Sequence, residues 1–120
     1  MTASKDSFKE RLARYRQIRL SVIGRKSGEL ISRPVWFVLE GEKLYLLPVK
    51  GTETQWYKNV LKNPGIRVDA RGKGAKLKAK RMVKSDAVKS VVEKFRAKYG
   101  AADVKKYYSN FDVAVWAGID

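Results

Sequence analysis

Residues 30–40 and 43–49 read as two strands joined by the tight turn Gly41-Glu42, and both strands are apolar on both faces. In the first, Val35, Phe37 and Leu39 fall on one side and Trp36 and Val38 on the other; in the second, Leu44 and Leu46 oppose Tyr45, Leu47 and Val49. Side chains alternate along a strand, so such a sheet needs cover on both faces. The pattern predicts the wall of a small barrel, with the interior on one side and a helix or a second subunit on the other. A homodimer is therefore an expectation.

The rest of the chain supplies the other strands. Residues 17–23 form a strand that enters residues 30–40 through the polar turn Gly24 to Gly28. A further hairpin joins residues 66–71 and 75–84 about Gly72-Lys73-Gly74, with Lys76, Lys78 and Lys80 alternating against Ala75, Leu77 and Ala79, and residues 111–116 make a last strand. Three helices are expected. Ser7 and Glu10 form a capping-box pair ahead of Phe8, Leu12 and Tyr15 at helical spacing, and Thr52 with Gln55 opens a short helix through Trp56, Tyr57, Val60 and Leu61 that stops at Asn63-Pro64-Gly65. Ser85 caps a third, carrying Val88, Val91, Val92, Phe95 and Tyr99 to Gly100, and residues 103–110 read as a basic connection. Sequential hairpins with short turns favour an antiparallel sheet closed on itself, because closure removes exposed edges. The expectation is one α+β domain over residues 1–120: a predominantly antiparallel β-barrel of about six strands with about three helices.

Inventory then limits the chemistry. The 120 residues include no cysteine and no histidine, which excludes thiolate nucleophiles, Cys/His zinc sites, Ser-His-Asp triads and imidazole bases. Asp69, Asp86, Asp103 and Asp112 fall in separate elements, so neither a paired acid/base site nor a metal site is predicted. The formal net charge of +15 creates a positive field suited to nucleic acid, anionic membrane surfaces or phosphorylated small molecules. No apolar run approaches the ~18 residues of a membrane span and the start has no signal-peptide core, so a cytoplasmic protein is expected.

Two loops gather cations. Gly24-Arg25-Lys26-Ser27-Gly28 sets two charges and a hydroxyl between glycines, where they can converge on a phosphate or carboxylate or simply form a solvated turn. Pro48-Val49-Lys50-Gly51 brings another cation to a helix start. Trp56 and Tyr57 suit either stacking on a ring or the core, and Tyr57, Tyr107 and Tyr108 either proton donation or burial. Residues 71–84 hold seven basic residues and no acidic one, a run that could track a nucleic-acid backbone but lacks the aromatics that stack on bases.

Taken in order, Gly24-Arg25-Lys26-Ser27-Gly28, Arg33-Pro34-Val35, Gly41 through Lys50-Gly51, and Gln55-Trp56-Tyr57-Lys58-Asn59 with Asn63-Pro64 resemble the deazaflavin-dependent nitroreductase family, over about residues 17–72. The resemblance implies a split β-barrel, related to flavin-binding oxidase folds, that holds the deazaflavin coenzyme F-420 in a basic groove. It implies that Arg25, Lys26 and Ser27, beside Gly28, meet the phosphate or acidic tail, and that Lys50 sits by the phosphate or ring with backbone contacts from Pro48 and Val49. Arg33 and Gly51 belong to the same implied set, as do Trp56 and Tyr57 on the helix beside the site, with Asn59 near them and Tyr57 the candidate proton donor. The implied activity is hydride transfer between the reduced coenzyme and a small electrophile such as a quinone or enone. Such chemistry asks the protein to bind, orient and exclude water, so it needs no histidine. The alternatives are the same fold binding FMN, a carrier that holds the coenzyme without turnover, and a non-enzymatic basic module for nucleic acid. Past residue 72 no family motif is recognisable, which leaves the substrate pocket and the lysine-rich residues 73–84 without an assigned role.

Overall fold

A computed structural model describes Leu12, residues 15–70 and residues 72–119. Its strands are β1 (Gln17–Ile23), β2 (Leu30–Glu40), β3 (Lys43–Leu46), β4 (Gly65–Ala70), β5 (Lys73–Met82) and β6 (Ala114–Gly118), and its helices are α1 (Gln55–Lys62), α2 (Ser85–Tyr99) and α3 (Ala101–Tyr107). The strands close into a barrel in the order β1-β2-β3-β6-β5-β4, every neighbouring pair antiparallel. Two long strands belong to both halves of the barrel. β2 pairs with β1 as far as Trp36 and with β3 from Phe37, while β5 pairs with β4 up to Lys78 and with β6 from Ala79.

Alternation along the strands produces two cores. Inside the barrel, Leu20, Val22, Phe37, Leu44, Val68 and Val115 are buried together with Trp56, Tyr57 and Val60, with which α1 closes one end. Each such side chain contributes about 1.5–3 kcal/mol when fully buried. On the outside, Val38, Tyr45, Leu47 and Ala114 lie under the stripe Val88, Val91, Val92, Phe95 and Tyr99 of α2, joined by Val104 and Tyr108. The second cover that the two-faced strands require thus comes from the same chain, and this face needs no second subunit.

Several boundaries differ from expectation. The helix expected around Ser7, Phe8 and Glu10 lies outside the described residues; Leu12 from its stripe is buried and Tyr15 packs against the barrel core. Residues 103–110 are largely α3 rather than a connection, because Gly100 at φ 94° breaks the helical path and the chain restarts at Ala101, anchored by the buried Val104 and, just past the helix, Tyr108. The Thr52 capping box does not form. A 3-10 turn over Gly51–Glu53 intervenes, α1 starts behind Thr54, and the Thr54 hydroxyl accepts the Lys50 backbone N–H at 2.7 Å. Ser85 opens α2 but makes no side-chain cap, and β6 begins three residues after Phe111.

Candidate functional site

Three adjoining hollows, of about 320, 270 and 190 Å³, open along the rim where α1 meets β2. Trp56 lines all three, Arg33 links the first to the second, and Val49 the second to the third, so they form one groove. Its first end is cationic, with Arg25, Lys26, Ser27 and Arg33; Lys50 stands at the middle; Trp36, Val49, Tyr107 and Tyr108 wall the far end.

Arg25 is the best anchored of the cations. Its backbone N–H and its Nη1 both donate to Asn59 Oδ1, at 3.0 and 2.8 Å, and its Nη2 donates to Gln55 Oε1 at 2.8 Å. Lys62 Nζ donates to the Arg25 carbonyl at 3.0 Å, so α1 grips the turn from both ends. Since Asn59 and Gln55 are neutral, this grip fixes the guanidinium without cancelling its charge. Within the turn, Gly28 takes a left-handed φ of 73°, and Ser27 Oγ accepts the Glu29 N–H at 3.1 Å, leaving the hydroxyl proton available to an anion.

Arg33 reaches the groove because of its register. It stands opposite the buried Leu20 on β1, hence on the barrel-facing side, where the wall opens beside Trp56. The side chains of Lys26, Arg33 and Lys50 make no hydrogen bond or ion pair among the described residues. Pro48 is buried and its carbonyl accepts the Gly51 N–H at 3.1 Å; Gly51, also buried, has φ 58°.

The three grouped tyrosines separate. Tyr57, 2 % exposed, points into the barrel core and lines none of the three hollows, whereas Tyr107 and Tyr108 both line the far end. Burial first, then the neighbouring Tyr99, holds the Tyr108 phenol above its ordinary range, so it stays protonated. Trp36 stacks on Tyr99 at 4.2 Å between ring centres and meets Tyr107 edge-on at 4.7 Å. Sequence reasoning read Gln55 as a capping partner and motif residue, Trp36 as a strand face and Asp112 as a scattered carboxylate, and gave none of them a role at the site; Asp112 binds Thr52 through its carboxylate. Amides on a helix facing a basic turn were a readable hint for Gln55; Trp36 and Asp112 had none, since their partners lie about 60 residues away in the sequence. Lys76, Lys78 and Lys80 point outward from β5 and line no part of the groove. Among the described residues no cluster of acidic side chains could hold a metal ion.

Residues 2–116 match the family described as F420H(2)-dependent quinone reductase. The chain belongs to this family. F420 is the deazaflavin coenzyme that the turn, Lys50 and α1 motifs implied. No curated protein matches the chain by sequence. Among solved structures, an F420-H2 dependent reductase designated FDR-A is similar at 20% identity and a TM-score of 0.66, over 85% of this chain and 93% of that one. A structure described as a domain-swapped dimer is similar at 20% identity and 0.67, over 85% and 79%. A putative pyridoxamine 5'-phosphate oxidase from Listeria innocua is similar at 16% identity and 0.67, over 95% and 90%. At these identities the solved structures show a shared fold, and the family assignment rests on the sequence match.

Proposed function

We propose that this protein is a cytoplasmic reductase that binds reduced coenzyme F-420 in the groove beneath Trp56 and delivers its hydride to a small flat electrophile, a quinone or an enone. The observation that supports this reading is the convergence of Lys26, Arg33 and Lys50, three cations without a partner among the described residues, on a groove walled by aromatic rings at its other end. A ligand with an anionic tail and a planar apolar ring matches both ends. The donors suit a phosphate, since guanidinium and ammonium groups make charge-assisted hydrogen bonds to its oxygens and the Ser27 hydroxyl adds a neutral one.

When bound, the reduced coenzyme supplies a hydride, and a quinone that takes this hydride together with one proton becomes a hydroquinone. The chain's own residues do the rest. Lys26, Ser27, Arg33 and Lys50 bind the anionic portion, while Arg25 holds the turn and adds positive field. Val49, Trp56 and Trp36 offer apolar wall that orients a ring and excludes water. Tyr107, largely exposed, and Tyr108, kept protonated by burial, hold hydroxyl protons at the end where a substrate would lie. FMN would use the same phosphate end, and the test separates the two cofactors.

The test is anaerobic oxidation of the reduced coenzyme by a water-soluble quinone, with reduced FMN run alongside. Turnover is expected with the deazaflavin, and Lys50→Ala is expected to lower kcat/KM by about tenfold to a hundredfold, the loss of one charge-assisted bond. An oxidation rate no higher than without protein, or an unchanged Lys50→Ala, contradicts the reading.

A further inference from the structure

The loop that carries Lys50 is fastened on both sides, and the fastening comes from the segment between α3 and β6. The Ser109 N–H donates to the Val49 carbonyl at 2.9 Å, and Lys50 forms a parallel β-bridge with Asn110. Beyond Lys50, Asp112 uses both carboxylate oxygens on one residue: Oδ1 accepts the Thr52 N–H at 3.1 Å and Oδ2 accepts the Thr52 hydroxyl at 2.9 Å. Gly51 makes room for this. A Cβ at Gly51 would stand 2.0 Å from Asp112 Oδ1 and 3.0 Å from Asn110 Cγ, so the carboxylate closes over the turn where a side chain would otherwise sit. The Lys50 backbone N–H is held in turn by Thr54. The loop is thus fixed at Val49, Lys50 and Thr52, and the Lys50 ammonium is left to face the groove.

We infer that Asp112 is a positioning residue for Lys50, acting through Thr52 and Gly51 to hold that ammonium where an anionic ligand meets it. The inference rests on the reading of Lys50 as an anion-binding residue. Geometry, not charge, is what the clamp supplies: two acceptors set side by side against an N–H and an O–H. An asparagine in the same place keeps one acceptor for the N–H and turns its amide donor to the hydroxyl oxygen, so it preserves the clamp.

The experiment compares wild type, Asp112→Ala, Asp112→Asn, Lys50→Ala and the double variant Asp112→Ala/Lys50→Ala in two readouts. The first is the dissociation constant for the oxidised deazaflavin coenzyme. Asp112→Ala should raise it about tenfold, Asp112→Asn should stay near wild type, and Asp112→Ala should add almost nothing once Lys50 is gone, because residues acting through one another are not additive. The second readout needs no ligand: limited trypsin digestion followed by mass spectrometry of the fragment ending at Lys50. Asp112→Ala should speed cleavage after Lys50 about tenfold while the other early cleavages keep their rates, since loosening is local. Thr52→Val removes the hydroxyl half of the clamp from the other side and carries both readouts if Asp112→Ala does not fold. Unchanged cleavage and affinity in Asp112→Ala, or independent multiplying losses in the double variant, overturn the inference. If wild type does not bind the coenzyme, the proposed function falls, and the cleavage rates still decide whether Asp112 holds the loop.

Discussion

Arg25 shows how a charge seen in sequence acquires its partners only in three dimensions. Gly24 to Gly28 is legible as a cationic turn, and it does border the groove. What composition could not show is that Asn59 takes both the Arg25 amide and its guanidinium, because that pairing joins residues 34 apart. Replacing Asn59 with Ala removes the acceptor and keeps the buried surroundings, so about 1–3 kcal/mol of stability should be lost. Urea denaturation measures this, and coenzyme affinity should fall with it as the Lys26-Ser27 turn loses its seat. Tyr57 illustrates the opposite case: an aromatic at a helix start suits a core as well as a ring-stacking site, and its place inside the barrel was decided by the face of α1 that closes the barrel end.

Among the elements, β1 and β2 begin and end where alternation says they should, because long strands with one barrel-facing side carry a strong period-two pattern. α3 was missed since a seven-residue helix offers too few turns for periodicity to stand out. The seam in β2 was also invisible. At Phe37 the strand changes partner, and Tyr99 from α2 fills the gap: its hydroxyl accepts the Phe37 N–H at 3.0 Å and lies 2.5 Å from the Arg16 carbonyl, while Lys98 Nζ donates to the Phe37 carbonyl at 2.9 Å. Desolvation, aided by nearby Arg16, lowers Lys98 from 10.5 to about 8. From about pH 8 to pH 10.5 the unfolded chain therefore keeps a proton that the folded chain gives up, and stability contributed at this position rises with pH. Measured against Lys98→Met, wild type should gain stability across that window. A difference that stays flat or falls would mean that Lys98 remains charged in the seam. Tyr99, raised from 10.0 to about 12 by burial, acts above that lower value and in the opposite direction, equally in both proteins.

At the scale of the whole molecule, the two-faced strands were the most informative feature of the sequence. They demanded a covered barrel, and α2 with α3 supplies the cover. The charge was less informative, for a total of +15 does not say which cations meet a ligand. Lys76, Lys78 and Lys80 lie exposed on the outer side of β5, and Lys80 with Lys43 brackets Trp116, at 5.0 and 4.9 Å from its ring centre. Charges outside the groove are screened beyond about 8 Å at physiological ionic strength. Reversing these three lysines to Glu should therefore leave coenzyme affinity within about twofold, and a loss comparable to that of Lys50→Ala would show that the ladder belongs to the binding surface.

The central claim is that an anionic deazaflavin occupies the groove between the Gly24 to Gly28 turn and Trp36 and is held there by Lys50. A fluorescence titration with oxidised coenzyme F-420, comparing wild type with Lys50→Ala and repeated with FMN, tests it most directly. The account predicts saturable binding of the deazaflavin by wild type, about tenfold weaker in Lys50→Ala and weaker still for FMN. Absence of saturable deazaflavin binding, or equal affinity in the two proteins, would contradict it.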